Sequence, residues 1–328
     1  MKLFIRTQAS PAIGVGHFMR CLAIAEEARA QGVGVAFLME SLDAPLCRRL
    51  DDLGIPLTLM PHPLGSAEDA EAVAALVDGE WLIVDSYQAN GDYLTTLHAR
   101  TKLLVMDDLA QVDPLPCRIV VNAALSAETL PYGRIAPDAL RLLGPAYAPI
   151  RREFRAVSAV KSTRTTISVM FGGSDPFDMT AKVAMALRVA IPDAGIRLLV
   201  GPANPRRQDL LAQAEGDDAF AVFVDPPSVA DVLAGSDLVV TAAGGSVNEI
   251  AAMGLAALAV IVADNQAIWL TACPFPVIDA RQGLPGAFAG QVKGLVDDAE
   301  TRRAIAEAAH RLIDGEGVER ILAAIKSA

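Results

Sequence analysis

The opening stretch MKLFIRTQASPAIGVGHFMRCLAIAEEARAQGVGVAFLM, residues 1–39, decides the fold. Residues 2–6, with Leu3-Phe4-Ile5 apolar at their centre, suit a buried strand, and a turn carrying Gly14 and Gly16 follows. Residues 17–30 then space apolar side chains at helical intervals, and Gly32 stands where that helix needs a C-terminal cap. A second apolar run at 34–38 completes the unit. Strand, glycine turn, helix and strand make a right-handed βαβ unit, which implies a parallel sheet.

The alternation continues outward. Further strands are expected at 57–59, 81–85, 103–106 and 119–121, with helices at 44–53, 67–77 and 93–100 and a capping Gly54. The charged and small residues of 151–165 (RREFRAVSAVKSTRT) break the rhythm and mark a domain boundary. Strands are then expected at 166–171, 196–200, 220–224, 238–241 and 257–262. Helices fall at 178–190, 206–214, 228–234 and 246–253, and two more at 299–312 and 318–328 close the chain. The expected architecture is α/β: two Rossmann-like doubly wound domains, 1–155 and 156–328, facing a central cleft.

Composition agrees with that size and narrows the function. At 328 residues the chain exceeds one ordinary core, and 52% hydrophobic against 20% charged residues excludes a mainly disordered protein. The 28 basic and 39 acidic side chains leave a net charge of −11, which argues against a nucleic-acid or anionic-membrane binder. An anionic ligand must therefore be held locally, by backbone amides and a few placed side chains. The four cysteines (Cys21, Cys47, Cys117, Cys273) lack CxxC spacing, so neither a zinc site nor a disulfide framework is expected. The N-terminus reads as a strand rather than a secretion signal, and the longest apolar stretch, 254–263, is too short to span a bilayer. A soluble, cytoplasmic protein without stable membrane insertion is the expectation.

Ligands of open α/β sheets bind beyond the carboxyl ends of strands, where glycine turns lead into helix N-termini. Three turns qualify. In the first, Ile13-Gly14-Val15-Gly16-His17, the third glycine of a dinucleotide fingerprint is missing, because Met19 occupies its place. A bare GxG is equally compatible with a plain tight turn. His17 sharpens the reading: the helix start favours a neutral imidazole, which can serve as general base. A histidine that only packs or caps is the alternative there.

The second turn, Phe171-Gly172-Gly173-Ser174-Asp175-Pro176, has the make-up of a phosphate cradle, with Gly173 and Ser174 as the contacts. The third runs from Thr241 through Gly244, Gly245, Ser246 and Asn248 to Glu249, whose carboxylate suits the two hydroxyls of a ribose. An ordinary first-turn acid explains Glu249 equally well. Asp85 and the pair Asp107-Asp108 end strands of the first domain and point toward its ligand edge. Adjacent aspartates on an extended chain point to opposite sides, so only one of that pair can face the ligand. Asp264-Asn265-Gln266 follows another apolar strand and offers amides suited to sugar hydroxyls.

Taken in order, IGVGHFMRC (13–21), VDSY (84–87), VMDD (105–108), GPAYAPIRREF (144–154), FGGSDP (171–176), GGSVNE (244–249) and DNQ (264–266) resemble the PseG family. These are UDP-sugar hydrolases of pseudaminic acid biosynthesis, similar in fold to MurG-type GT-B glycosyltransferases. The resemblance covers about residues 1–270. It implies hydrolysis of UDP-2,4-diacetamido-2,4,6-trideoxy-β-L-altropyranose to UDP and free sugar by water attack at the anomeric carbon. Neither a metal nor a cofactor is implied. His17 matches the family's general base and Tyr87 an active-site tyrosine, while Gly14 and Gly16 match the diphosphate loop. Arg20, Asp85, Asp108, Gly173, Ser174, Gly245, Ser246 and Glu249 join the substrate-binding set, and Asn265 and Gln266 match the sugar-side amides. The partners implied are the UDP-sugar and UDP, with no nucleic acid and a monomer or weak homo-oligomer. Two departures stand out: Ala256 where related sequences carry proline, and a shortened segment at 267–276 (AIWLTACPFP). A GT-B glycosyltransferase with a UDP-sugar donor, or a non-catalytic nucleotide-sugar binding protein, is the competing expectation.

Overall fold

A computed structural model describes residues 1–10, 14–155, 164–267 and 269–328. The first part of the chain alternates as β1 (Lys2–Thr7), α1 (Gly16–Ala30), β2 (Gly34–Met39), α2 (Ala44–Asp52), β3 (Leu57–Leu59), α3 (Ala67–Val77), β4 (Trp81–Asp85), α4 (Gly91–His98), β5 (Lys102–Met106), β6 (Ile119–Asn122), α5 (Tyr132–Ile135) and β7 (Leu140–Leu143). The second part follows as β8 (Thr166–Met170), α6 (Met179–Ala190), β9 (Gly195–Val200), α7 (Arg207–Ala214), β10 (Phe220–Val224), α8 (Val229–Leu233), β11 (Leu238–Ala242), α9 (Ser246–Ala252), β12 (Ala257–Ile261), α10 (Trp269–Ala272), β13 (Val277–Asp279), α11 (Phe288–Asp297), α12 (Ala299–Leu312) and α13 (Gly317–Ser327). The strand orders are β3-β2-β1-β4-β5-β6-β7 and β10-β9-β8-β11-β12-β13. All pairings are parallel, the doubly wound arrangement that the alternation predicts.

Strand parity divides the first unit's core. Leu3 and Ile5 of β1, Trp81 and Ile83 of β4, and Leu104 and Met106 of β5 pack with α1. Phe4, Leu82, Val84, Leu103 and Val105 face the other way, into the layer of α3 and α4. At the sheet's carboxyl edge the same alternation continues into polar positions. Arg6 follows Phe4 to the second face, where it is fully buried and held by Asp69 at 3.0 Å. Tyr93 donates to the same carboxylate at 2.7 Å, so the buried charge is paired and hydrogen-bonded, as burial requires.

The chain divides into Met1–Arg152 with Gly315–Ala328, and Glu153–Asp314. Residues 315–328, expected in the second domain, thus belong to the first. The reason is packing: Val318, Ile321, Leu322 and Ile325 of α13 bury one face in the core that holds α1. Burying four such side chains contributes roughly 6–12 kcal/mol before conformational entropy is subtracted. The contact is close enough to need glycine, since a Cβ on Gly317 would stand 2.3 Å from the Ala148 carbonyl oxygen.

Five elements escape the sequence reading: β7, β13, the single-turn helices α5 and α10, and α11. β7 and β13 are short strands at sheet edges, and β7 buries only Leu142 fully. Gly290 and Gly294 dilute the helical signal of α11, whose burial rests on Phe288 and Val292, one turn apart. Segment 267–276, read as shortened, holds α10 and leads into β13. Residues 156–163 of the expected boundary segment, and Ile13 of the first glycine turn, lie outside the described residues.

Candidate active site

β1, β4 and β5 lie side by side, with β1 and β4 at the point where the strand order reverses. That is where an open α/β sheet leaves a crevice for ligands. Each strand delivers one part of a polar cluster. The turn after β1 contains Gly14, whose φ of 82° lies in the left-handed region that favours glycine, and whose N–H donates to Ser10 O at 2.7 Å. It leads into α1 at Gly16, so His17 occupies the helix's first turn.

Parity does the rest. Asp85 ends β4 on the α1 face, as Ile83 does, and is fully buried. His17 Nδ1 lies 2.6 Å from Asp85 Oδ1. Arg20, one helical turn on, donates from Nη2 to the same oxygen and from Nε to Oδ2, both at 2.6 Å. Cys21 donates its S–H to Oδ2 at 3.5 Å, and Thr7 Oγ1 donates to the Asp85 main-chain oxygen at 3.0 Å. Beyond β5, Asp108 accepts from Arg20 Nη1 at 2.9 Å and from the Tyr87 hydroxyl at 2.8 Å. The Tyr87 ring stands edge-on to the imidazole, with centroids 4.7 Å apart. Asp107 turns to the opposite face, accepting from Tyr132 Oη at 2.9 Å and from the N–H groups of Leu109 and Ala110. Only Asp108 joins the cluster, as the alternation requires.

These contacts set charge and tautomer. Burial pushes the Asp85 carboxyl up, but the Arg20 guanidinium, its hydrogen bonds and that of His17 outweigh it and hold Asp85 below its usual range. An ionised carboxylate only accepts, so in the neutral ring of His17 the hydrogen sits on Nδ1 and Nε2 keeps its lone pair. Burial works against the Arg20 charge, yet Asp85 and Asp108 raise its pKa well above the ordinary value. Burial beside Asp85 pushes the Cys21 thiol up, so it remains a neutral donor. Burial and Asp108 likewise push up the Tyr87 phenol, which stays protonated. The arrangement can accept a proton at one imidazole nitrogen while a buried carboxylate stabilises the resulting charge.

The expectation that Asp85 binds substrate is therefore corrected: it stands behind His17 with both oxygens occupied and no exposed surface. Thr7 and Cys21 complete its surroundings, and the sequence does signal them. Cys21 is four residues from His17 on one helix, and Thr7 shares the parity of Leu3 and Ile5.

In the second unit the glycine turn after β8 differs from a phosphate cradle. Asp175, buried, accepts from the N–H groups of Met179 and Thr180 at 2.9 and 2.8 Å, so α6 already has an anion at its start. Gly173 and Ser174 are exposed, and the carbonyl of Gly173 accepts from Ala203 N at 3.2 Å. The turn after β11 places Gly245 at the N-cap of α9 without a side-chain cap bond, with Ser246 and Glu249 in the first turn. Gln266 commits its Oε1 to Val262 N at 2.9 Å, fastening its own loop and leaving its amide nitrogen to donate elsewhere. The side chain of Asn265 lies outside the described residues. Among the described residues no group of three or more His, Cys, Asp or Glu is placed to hold a metal ion. No described helix is long and apolar enough to cross a membrane.

No protein-family model matches the chain. The fold is that of the GT-B proteins: the solved structure of Acinetobacter baumannii MurG is similar over 100% of both chains, with a TM-score of 0.65 at 14% identity. In sequence the chain is 25% identical over 280 residues to the UDP-2,4-diacetamido-2,4,6-trideoxy-beta-L-altropyranose hydrolase of Campylobacter jejuni. That match covers 82% of this chain and 96% of the relative. It is also 24% identical over 271 residues, 78% of its length, to an uncharacterized protein of Methanocaldococcus jannaschii. The chain spans about half of that relative, 54% of its length.

Proposed function

We propose that this chain hydrolyses a UDP-linked 2,4-diacetamido-2,4,6-trideoxy sugar to UDP and the free sugar. The observation that carries the reading is the imidazole of His17, fixed by buried Asp85 with Nε2 left as a base, at the carboxyl edge of β1 and β4. Similarity to the Campylobacter jejuni hydrolase supports the substrate class. His17 Nε2 takes a proton from water as the water oxygen bonds to the anomeric carbon. The bond from that carbon to the β-phosphate oxygen breaks, its electron pair leaves with UDP, and the configuration inverts. Gly14, Gly16, Gly245 and Ser246 present amides to the diphosphate, and Glu249 accepts from the ribose. The amide nitrogen of Gln266 serves the sugar, and no metal takes part.

Hydrolysis in heavy-oxygen water tests this. Label in the sugar and none in UDP, each read by mass spectrometry, is the expected outcome; brief reaction times limit exchange through the open aldehyde. Label in UDP means attack at phosphorus and removes His17 from its role. A second product that forms only when an acceptor alcohol is added makes the protein a glycosyltransferase. Substitution His17→Asn should slow turnover by about 10²–10⁴-fold with far less effect on binding.

A further inference from the structure

The first unit holds a concavity that the mechanism does not use. Its walls are Gln8, Ala9 and Ser10, just past the end of β1, Glu40 and Ser41, just past β2, and Gln88, three residues past β4. It measures about 150 Å³. That is some five times the roughly 30 Å³ share of a liquid water, but well below the roughly 300–1,000 Å³ of sites that enclose a whole drug-sized ligand. It has room for one part of a larger molecule.

Its chemistry selects which part. Five of the six lining residues are polar, and the only charge among them is a carboxylate. Glu40 accepts from Leu64 N at 2.6 Å and lies 3.6 Å from the buried Arg6 guanidinium, so its position is fixed from behind. A fixed carboxylate repels phosphate and accepts from hydroxyl or amide donors. Gln8 donates from Nε2 to Ser86 Oγ at 2.8 Å, which aims its carbonyl oxygen away from that serine. Ser86 Oγ also accepts from Gln88 N at 3.0 Å, so one hydroxyl organises two walls. Among the described residues no hydrogen bond engages the Gln88 amide group or the Ser41 hydroxyl, and both side chains are exposed. Ser86 itself sits between Asp85, which holds His17, and Tyr87, whose ring meets the imidazole. The concavity and the base are thus joined through one residue.

We infer that this concavity is the glycosyl subsite, taking the hydroxyl- and acetamido-bearing ring of a nucleotide sugar while excluding its diphosphate. The inference rests on the proposed UDP-sugar reading and deepens it, by naming Gln8, Glu40, Ser41 and Gln88 as the groups that meet the sugar. Side-chain amide resonances of Gln8 and Gln88, assigned by substitution in labelled full-length protein, report on it directly. The probes are UDP, UDP-N-acetylglucosamine, a UDP-2,4-diacetamido-2,4,6-trideoxy sugar, and free N-acetylglucosamine at millimolar concentration.

At least one sugar-bearing probe should shift both resonances, while UDP leaves them in place. Substitution Gln88→Ala, which removes an exposed amide, should weaken the responding UDP-sugar about three- to tenfold and leave UDP within twofold. Ser41→Trp, which fills the concavity from its rim, should weaken it further still. Resonances unmoved by every sugar probe overturn the subsite, as does a Ser41→Trp protein that binds the UDP-sugar normally. If UDP and the UDP-sugars all fail to bind the wild type while the free sugar moves both resonances, the nucleotide reading falls and the sugar subsite stands.

Discussion

Replacing Asp85 by asparagine separates an orienting carboxylate from a merely buried one. The wild-type group takes four donors: His17 Nδ1, two nitrogens of Arg20, and the Cys21 thiol. Asparagine keeps the shape, loses the charge, and turns one of the two acceptors into a donor. If the new amide nitrogen faces His17, it also meets the Arg20 Nη2 donor, and the ring must accept at Nδ1, so its hydrogen moves to Nε2, where the base is needed. If the nitrogen faces Arg20 Nε instead, two donors confront each other in a buried site. The first arrangement removes general-base help, for an expected fall in turnover of about 10²–10⁴-fold, or about 2.7–5.5 kcal/mol of barrier.

The stability cost is separable. Breaking a buried ion pair costs about 3–5 kcal/mol, and the low end applies here because Arg20 keeps Asp108 and is 23% exposed. At about 2–4 °C per kcal/mol, the melting temperature should fall by about 6–12 °C. UDP release is therefore measured well below the melting transition, with a melting curve and a UDP titration on the same sample. A folded Asp85→Asn protein that turns over within threefold of wild type refutes the orienting role. Acidity gives a second check. The folded pKa of Asp85 lies below its unfolded value, so its stabilisation is complete above about pH 4 and is lost as pH falls through the folded value. The gap in melting temperature between wild type and Asp85→Asn should stay constant from pH 8 to 5 and narrow below about pH 4; a gap that widens in acid contradicts the sign.

Other substitutions probe the remaining assignments. Glu249→Ala should weaken UDP by roughly 1.5–3 kcal/mol in calorimetry, with no dependence on added magnesium; equal affinity, or a magnesium requirement, removes the ribose assignment. Tyr87→Phe loses the bond to Asp108 but keeps the ring against His17, so kcat should fall about two- to tenfold, far less than in His17→Asn. Gly317→Ala places a Cβ against the Ala148 backbone and should destabilise by about 1–3 kcal/mol in chemical denaturation. Gly290→Ala, in a helix with nothing within 4 Å of the added atom, serves as its control and should be neutral or stabilising by up to about 1 kcal/mol.

Local periodicity is enough to read most strands and helices, because parallel strands buried on both faces must be apolar throughout and the crossover helices must be amphipathic. It carries the site further than a motif would. Alternation along β5 is enough to separate Asp107 from Asp108, and helical spacing is enough to bring His17, Arg20 and Cys21 onto one side of α1. Where burial is slight the signal fades, as at the edge strands β7 and β13 and the glycine-diluted α11.

Other features have no local cause. That α13 leaves the second unit and packs in the core with α1 depends on a face at 318–325 matching a surface some 300 residues away, which no window of sequence contains. That the amides opening α6 are taken by Asp175 depends on how the turn folds back, since a residue suited to binding an anion and one that replaces it look alike in a chain. The same holds for Asp85. Its type and position mark it as a polar strand end, which the sequence by itself determines. Whether it meets the ligand or stands behind the base is decided only when α1 closes over β4, because burial belongs to the packed layers and not to the residue.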